Sequence, residues 1–316
     1  LCVTYCVGGL NALNSVAGGY AEKSPMIVIS GAPGMRERVN SPLLHHRVRG
    51  FDTQRLIFEK VTAAATAIED PQSAPRQIDE TLEACVRHKR PVYIELPRDI
   101  VSMPCPAPAP RKPWTPKSDP AVLAEALDEA VRMLRAAKRP VILAGVEIHR
   151  YGLQDALLDL VEKTGFPIAA TLLGKSIIRE NHAQYLGIYE GGMGREDVRK
   201  TVESADCLLV LGEFMTDINM GIYTAHIDVR HTIDATSERI AIKHHLYEDV
   251  KLKHFVEGLT KALAGRARKG KPKSVSVRPA FKPVASRAIT VKRFFLRIND
   301  FLEDNSMVIC DIGDSL

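Results

Sequence analysis

No apolar run in the 316-residue chain reaches the roughly 18–20 residues needed to cross a bilayer, so a membrane-spanning helix is not expected. The opening LCVTYCVGG lacks the charged start and cleavage site of a secretory signal. CxxC pairs are also missing. The six cysteines, at positions 2, 6, 85, 105, 207 and 310, lie mostly in apolar stretches, which favours buried free thiols over disulfides or zinc and fits a reducing cytoplasm. No short-period repeat is visible. Acidic residues are absent from Gly258 to Asn299, which holds twelve Lys or Arg; removing these twelve from the net +5 leaves the rest of the chain at −7. Aromatics hardly interleave with the RARKGKPK run in that stretch, so a solvated linker is expected there rather than a nucleic-acid surface.

What is present is ordinary globular composition, 45% hydrophobic and 26% charged, in a chain longer than the roughly 100–200 residues of one domain. Short β-branched runs punctuated by Gly or Pro read as buried parallel strands: MIVIS from Met26, VYIEL from Val92 to Leu96, VILAG from Val141, PIAATLL from Pro167, CLLVLG from Cys207 and MVICD from Met307 to Asp311. Helical patterns lie between them. Ser73 opens one with an apolar face of Ile78, Leu82 and Val86; Asp119 and Pro120 open another that buries Val122, Leu123, Ala126, Leu127, Val131 and Leu134. The alternation predicts an α/β protein with doubly wound parallel sheets, whose ligands sit at the carboxyl ends of strands. Two breaks divide it. PCPAPAPRKPWTP is too proline-rich for helix or central strand, and the stretch from residue 266 combines charge with glycine and proline. The expected organisation is a first unit over 1–103, a linker over 104–116, a middle unit over 117–265, a basic linker over 266–285 and the start of a third unit over 286–316. With Leu1 first and CDIGDSL last, the sequence is read as an excerpt.

Chemistry concentrates in LLHHRVRG, where His45 and His46 follow a strand and the loop GAPGMRERVNSPLL. Imidazoles titrate near neutral pH, so such a pair can donate a proton, accept one or stabilise a developing anion; a pair of surface histidines can also be incidental. The chain holds its own control. His244 and His245, in KHHLYED, sit among charged residues away from any glycine-rich loop and are assigned to a solvated face. The middle unit has Gly145, Gly174 and Gly212 near strand ends but no GxGxxG after a strand, which favours scaffolding over nucleotide binding.

VTYCVGGLNALNSVAGGYAEKSPMIVISGAPG, then LLHH, then RPVYIELPRDIVSMPCPAP, resembles the thiamine-diphosphate-dependent 2-keto acid decarboxylases, including pyruvate, indolepyruvate and phenylpyruvate decarboxylases. The likeness runs on to MVICDIGDSL and so covers essentially the whole chain. It implies a thiamine-diphosphate-binding fold, a Rossmann-like middle domain and the start of a second thiamine-diphosphate-binding fold. It further implies that His45 and His46 lie by the reactive centre, that the Thr4 hydroxyl lies near the bound substrate, and that Gly313, Asp314 and Ser315 contact the cofactor's diphosphate. The implied reaction is loss of carbon dioxide from a 2-keto acid, with the cofactor accepting the released electrons and His45 and His46 serving the proton transfers. Implied too are a small-molecule substrate and a homodimer or homotetramer, with neither nucleic acid nor membrane as partner.

Two parts of that family's machinery have no match in the chain. The activating glutamate is expected upstream of Leu1, and the GDG motif that holds magnesium beyond Leu316, so no metal ligand is expected within these residues. GVEIHRYGL and DIGDSL look closer to the phenylpyruvate and indolepyruvate branch and suggest an aryl-substituted substrate. Competing readings are a carboligase of the acetolactate synthase kind, against which the adjacent histidines argue, and a non-catalytic relative.

Overall fold

In the computed structural model, residues 1–110, 112, 114–265, 281–303 and 305–309 are described. They fall into two compact units, one of residues 1–119 with 150–153, the other of 120–149 with the chain from 154 onward.

The first unit is built on a parallel sheet of β1 (Cys2–Val3), β2 (Ile27–Ala32), β3 (Ala64–Ala67) and β4 (Val92–Pro97), in the order β1-β2-β4-β3. Parallel neighbours need long crossovers. Helices supply them: α1 (Val7–Asn11) and α2 (Leu13–Ala21) before β2, α3 (Met35–Arg38) and α4 (Thr53–Phe58) before β3, and α5 (Ala74–His88) before β4. The core gathers Val16, Val28, Phe58 and Tyr93, with the Phe58 and Tyr93 rings stacked 4.6 Å apart. Helix α5 opens after Ser73 and closes on Lys89 at φ 53°. Its buried residues are Ala74, Thr81 and Cys85, whereas Ile78 and Leu82 are half-buried and Val86 is exposed. The expected face is therefore rotated: small residues, not the large ones, set the close approach.

The second unit begins with α6 (Pro120–Ala136), β5 (Pro140–Ala144), α7 (Glu147–Arg150), α8 (Gln154–Thr164), β6 (Ile168–Ala170) and β7 (Tyr185–Ile188). It continues through α9 (Glu196–Glu203), β8 (Cys207–Leu211), β9 (Thr232–Ala235), β10 (Ile240–Ile242), β11 (His245–Tyr247), α10 (Leu252–Leu263) and α11 (Val291–Phe301). Strand order is β11-β10-β9-β8-β5-β6-β7. The first strand, β5, is central, and parallel strands run outward from it on both sides, the signature of double winding. An antiparallel extension, β9-β10-β11, completes one edge. Strands β5 and β8 are buried throughout, and Val141, Leu143, Leu208 and Val210 pack with Tyr189, Val198 and Val202. Each such aliphatic side chain contributes about 1.5–3 kcal/mol. Helix α6 buries Ala126, Ala130, Val131 and Leu134 and leaves Val122, Leu123 and Leu127 half-buried.

Several expectations need correction. PIAATLL yields only the three-residue β6, because the chain turns away at Thr171. Met307, Val308 and Ile309 form no strand and are exposed; a central parallel strand needs paired neighbours, and no described segment pairs with them. Residues 286–303 contribute α11 within irregular chain and no strand among the described residues. Cys6, Cys85 and Cys207 are buried free thiols, but Cys2 and Cys105 are exposed, the latter in the proline-rich stretch. Cys310 and most of the basic stretch lie outside the described residues.

Candidate active site

The carboxyl edge of the first unit's sheet carries the residues singled out above. Strand β1 ends at Val3 and is followed by Thr4; its neighbour β2 ends at Ala32 and feeds the histidine loop. Thr4 is exposed, its carbonyl accepts from the Gly9 N–H at 3.0 Å, and a Cβ on Gly8 would stand 2.5 Å from its methyl carbon. At the start of the loop the Asp99 carboxylate accepts from the Met35 and Arg36 N–H groups, at 2.9 and 3.1 Å, and caps α3. Those N–H donors hold its carboxyl below the usual range. The Gly34 N–H adds a bond to Glu37, also 2.9 Å.

Both feet of the loop stand on one strand. Tyr93 and Glu95 lie two apart on β4 and so share a face. Gln54, on α4, donates to Ser30 Oγ and to the Tyr93 hydroxyl, both at 2.7 Å, and Tyr93 in turn donates to Glu95 at 2.7 Å. Arg38, at the end of α3, donates to Glu95 at 3.4 Å, to Glu69 at 3.2 Å and to the Pro33 carbonyl at 3.1 Å. Burial pushes the Glu95 carboxyl upward, against the pull of Tyr93 and Arg38. Burial likewise raises the Tyr93 phenol.

Between these feet the chain makes a β-turn over residues 44–47, closed by the Arg47 N–H on the Leu44 carbonyl at 3.2 Å. His46 is its third residue and takes φ 65°, the positive value found at that position in type II and type I′ turns. The two imidazoles are exposed and meet edge to face, 4.9 Å between centroids. Arg47 folds back beneath them. Its Nε donates to the Arg49 carbonyl at 2.9 Å, Nη1 to the Ser41 and Pro42 carbonyls at 3.1 and 2.7 Å, and Nη2 to Ser41 Oγ at 3.0 Å. Its guanidinium lies 4.2 Å from the centre of the Phe51 ring. The Tyr5 hydroxyl donates to the Phe51 carbonyl at 3.3 Å, and the Cys6 thiol bonds to the Val48 backbone. Burial raises both side chains, with Tyr5 pushed up to about 12. The structure thus brings Thr4 and the histidine pair to neighbouring strand ends of one sheet, tied together through Tyr5 and Cys6.

Gly313, Asp314 and Ser315 lie outside the described residues. His244 and His245 are exposed in the second unit, where His245 Nδ1 is 2.9 Å from a Glu129 carboxylate oxygen. The second unit's glycines serve internal packing. A Cβ on Gly145 would stand 1.9 Å from Glu213 Oε2, and one on Gly174 would stand 2.7 Å from the Ala144 carbonyl. Gly212 takes φ 63°. Glu213, just beyond β8, is buried and accepts from Thr171 and, at 2.6 Å, from Asn219. Arg38, Arg47, Gln54, Tyr93 and Glu95 escaped the sequence reading. The signal for the last two was present: a phenol and a carboxylate alternate inside the otherwise apolar VYIEL.

Residues 127–263, the body of the second unit, match the thiamine pyrophosphate enzyme central domain. The whole chain is similar to decarboxylases of 2-keto acids. It is 33% identical over 317 residues to indole-3-pyruvate decarboxylase of Azospirillum brasilense, which covers 99% of this chain and 58% of that protein. It is 30% identical over 321 residues to pyruvate decarboxylase isozyme 1 of Saccharomyces cerevisiae and 29% identical over 321 to pyruvate decarboxylase of Candida glabrata, each covering 99% of this chain and 57% of the relative. The chain therefore spans under two thirds of the length of these relatives.

Proposed function

We propose that the chain forms part of a thiamine-diphosphate-dependent 2-keto acid decarboxylase that converts an aryl-substituted acid, phenylpyruvate or indole-3-pyruvate, to an aldehyde and carbon dioxide. The observation that carries this reading is the exposed, edge-to-face imidazole pair in the loop after β2, at the carboxyl edge of the first sheet, where the neighbouring strand β1 is followed by Thr4. It is supported by likeness along the whole chain to indole-3-pyruvate and pyruvate decarboxylases. Thiamine diphosphate, when bound, supplies the electron sink for the departing carboxylate. Residues of this chain fit the proton side of that chemistry: two imidazoles on an open turn have nitrogen atoms free to give a proton to the carbon that lost the carboxylate and to take one back as the aldehyde leaves. The Thr4 hydroxyl, exposed on the next strand end, would orient the substrate. Gly313, Asp314 and Ser315 would receive the diphosphate, on the resemblance of DIGDSL. Magnesium would accompany the cofactor; among the described residues no group of three His, Cys, Asp or Glu side chains is placed to hold a metal ion. The complete enzyme would act as a homodimer or homotetramer.

The test is His45→Ala and His46→Ala in the full-length protein, assayed for aldehyde release from phenylpyruvate, indole-3-pyruvate and pyruvate. Each variant is expected to lose about 10²-fold or more in kcat, the usual range for an acid–base group. Near wild-type rates in both would remove the pair from the mechanism, and a strong preference of the wild type for pyruvate would overturn the aryl assignment.

A further inference from the structure

We propose that Arg47, seated on the Phe51 ring, is a positioning residue that sets the direction of the His45–His46 turn. The inference rests on the reading of those histidines as proton-handling groups and adds the part of the fold that aims them.

The turn itself has little to hold it. Neither imidazole hydrogen-bonds another described residue, both rings are exposed, and the preceding Leu43 is 96% exposed. His46 also stands at φ 65°, a conformation that an L-residue keeps only where its surroundings impose it. Arg47 provides the imposition. Its backbone N–H closes the turn, while its side chain bonds to Ser41 and Pro42 before the pair and to Arg49 after it. One planar group thus brackets the turn from both sides. These donors point into Arg47's own loop, so its part is geometric.

That planar group has a fixed seat. Phe51 lies under it at 4.2 Å, is held at its carbonyl by Tyr5, and has Arg38 5.9 Å from its ring centre. Arg38 in turn bonds to Glu95, whose side chain is 1% exposed. A continuous path therefore runs from a buried strand carboxylate through Arg38, Phe51 and Arg47 to the turn. Lysine cannot replace Arg47 here: it lacks the fork that bonds three carbonyls at once and the flat face that lies on an aromatic ring.

The experiment is a cycle in the full-length protein with thiamine diphosphate and magnesium, measuring kcat and KM for aldehyde release together with the thermal midpoint. Arg47→Lys is expected to keep its midpoint within a few degrees and to lower kcat by about 10–100-fold, as a misaimed group does, with KM changed far less. In the His45→Ala/His46→Ala background the same substitution should alter the residual rate by less than about twofold, because there is nothing left to aim. Wild-type kcat in Arg47→Lys, or an equal loss with and without the histidines, overturns the proposal. Should Arg47→Lys unfold, Phe51→Leu carries the same expectations, since it keeps an apolar plug and removes the ring face. Undiminished rates in His45→Ala and His46→Ala would instead defeat the underlying reading, a result distinct from failure of the clamp.

Discussion

His46 occupies a backbone region that costs an L-residue about 1–2 kcal/mol, and its ring is exposed to solvent, so stability does not account for its presence. His46→Gly should remove the strain while adding freedom to the unfolded chain, leaving the thermal midpoint equal or slightly higher although turnover falls; a drop of several degrees would contradict the turn geometry. Glu213 poses the opposite case, a buried group with a titration of its own. Burial pushes its carboxyl up to about 8, aided by the charges of Asp234 and Glu147 and opposed by hydrogen bonds from Thr171 and Phe214. Burial also raises Asp234, to about 6. A raised carboxyl means that the folded state keeps a proton the unfolded chain has already lost. The stability from Glu213 is thus fully present below its ordinary 4.5 and is lost as pH climbs towards 8. The second unit should weaken over that window, and Glu213→Gln should flatten the decline in a series of melts from pH 5 to 8; a parallel decline in the variant would place the titration elsewhere.

At the scale of elements, the long β-branched runs were legible because burial on both faces leaves a continuous apolar signature. MIVIS, VYIEL, VILAG and CLLVLG became β2, β4, β5 and β8, and they gave the α/β class. The strands that were missed are short and weakly marked. AATA of β3 has small residues, and TIDA of β9 joins an antiparallel extension that no crossover pattern announces. The site divides in the same way. His45, His46 and Thr4 could be read from local motifs, whereas Gln54 and Arg38 act through Tyr93 and Glu95, 39 and 57 residues away, and such partners exist only once β2 and β4 have paired. Close approach between elements is equally hidden until the fold forms. Gly145 follows β5 where Glu213 presses against it, so Gly145→Ala should destabilise the second unit by about 1–3 kcal/mol or more, read as a lowered unfolding midpoint. An unchanged midpoint would mean that Glu213 can swing aside.

For the molecule as a whole, the second unit carries its own core, with β5 and β8 buried throughout and α10 burying Leu252, Phe255, Val256, Leu259 and Leu263. A fragment of residues 118–265 is therefore expected to melt cooperatively, and a broad, non-cooperative transition would show that this core depends on the rest of the chain. The first unit carries a different kind of dependence. Gln54 satisfies Ser30 and Tyr93 together, and Tyr93 satisfies Glu95, so losing one partner strands another in a place water does not reach. Descendants of this sequence should drift at these four positions only in concert. A lineage that trades Gln54 for an aliphatic side chain would be expected to shed the Tyr93 hydroxyl in the same history, leaving a linked substitution in the strand as the trace of a change in the helix.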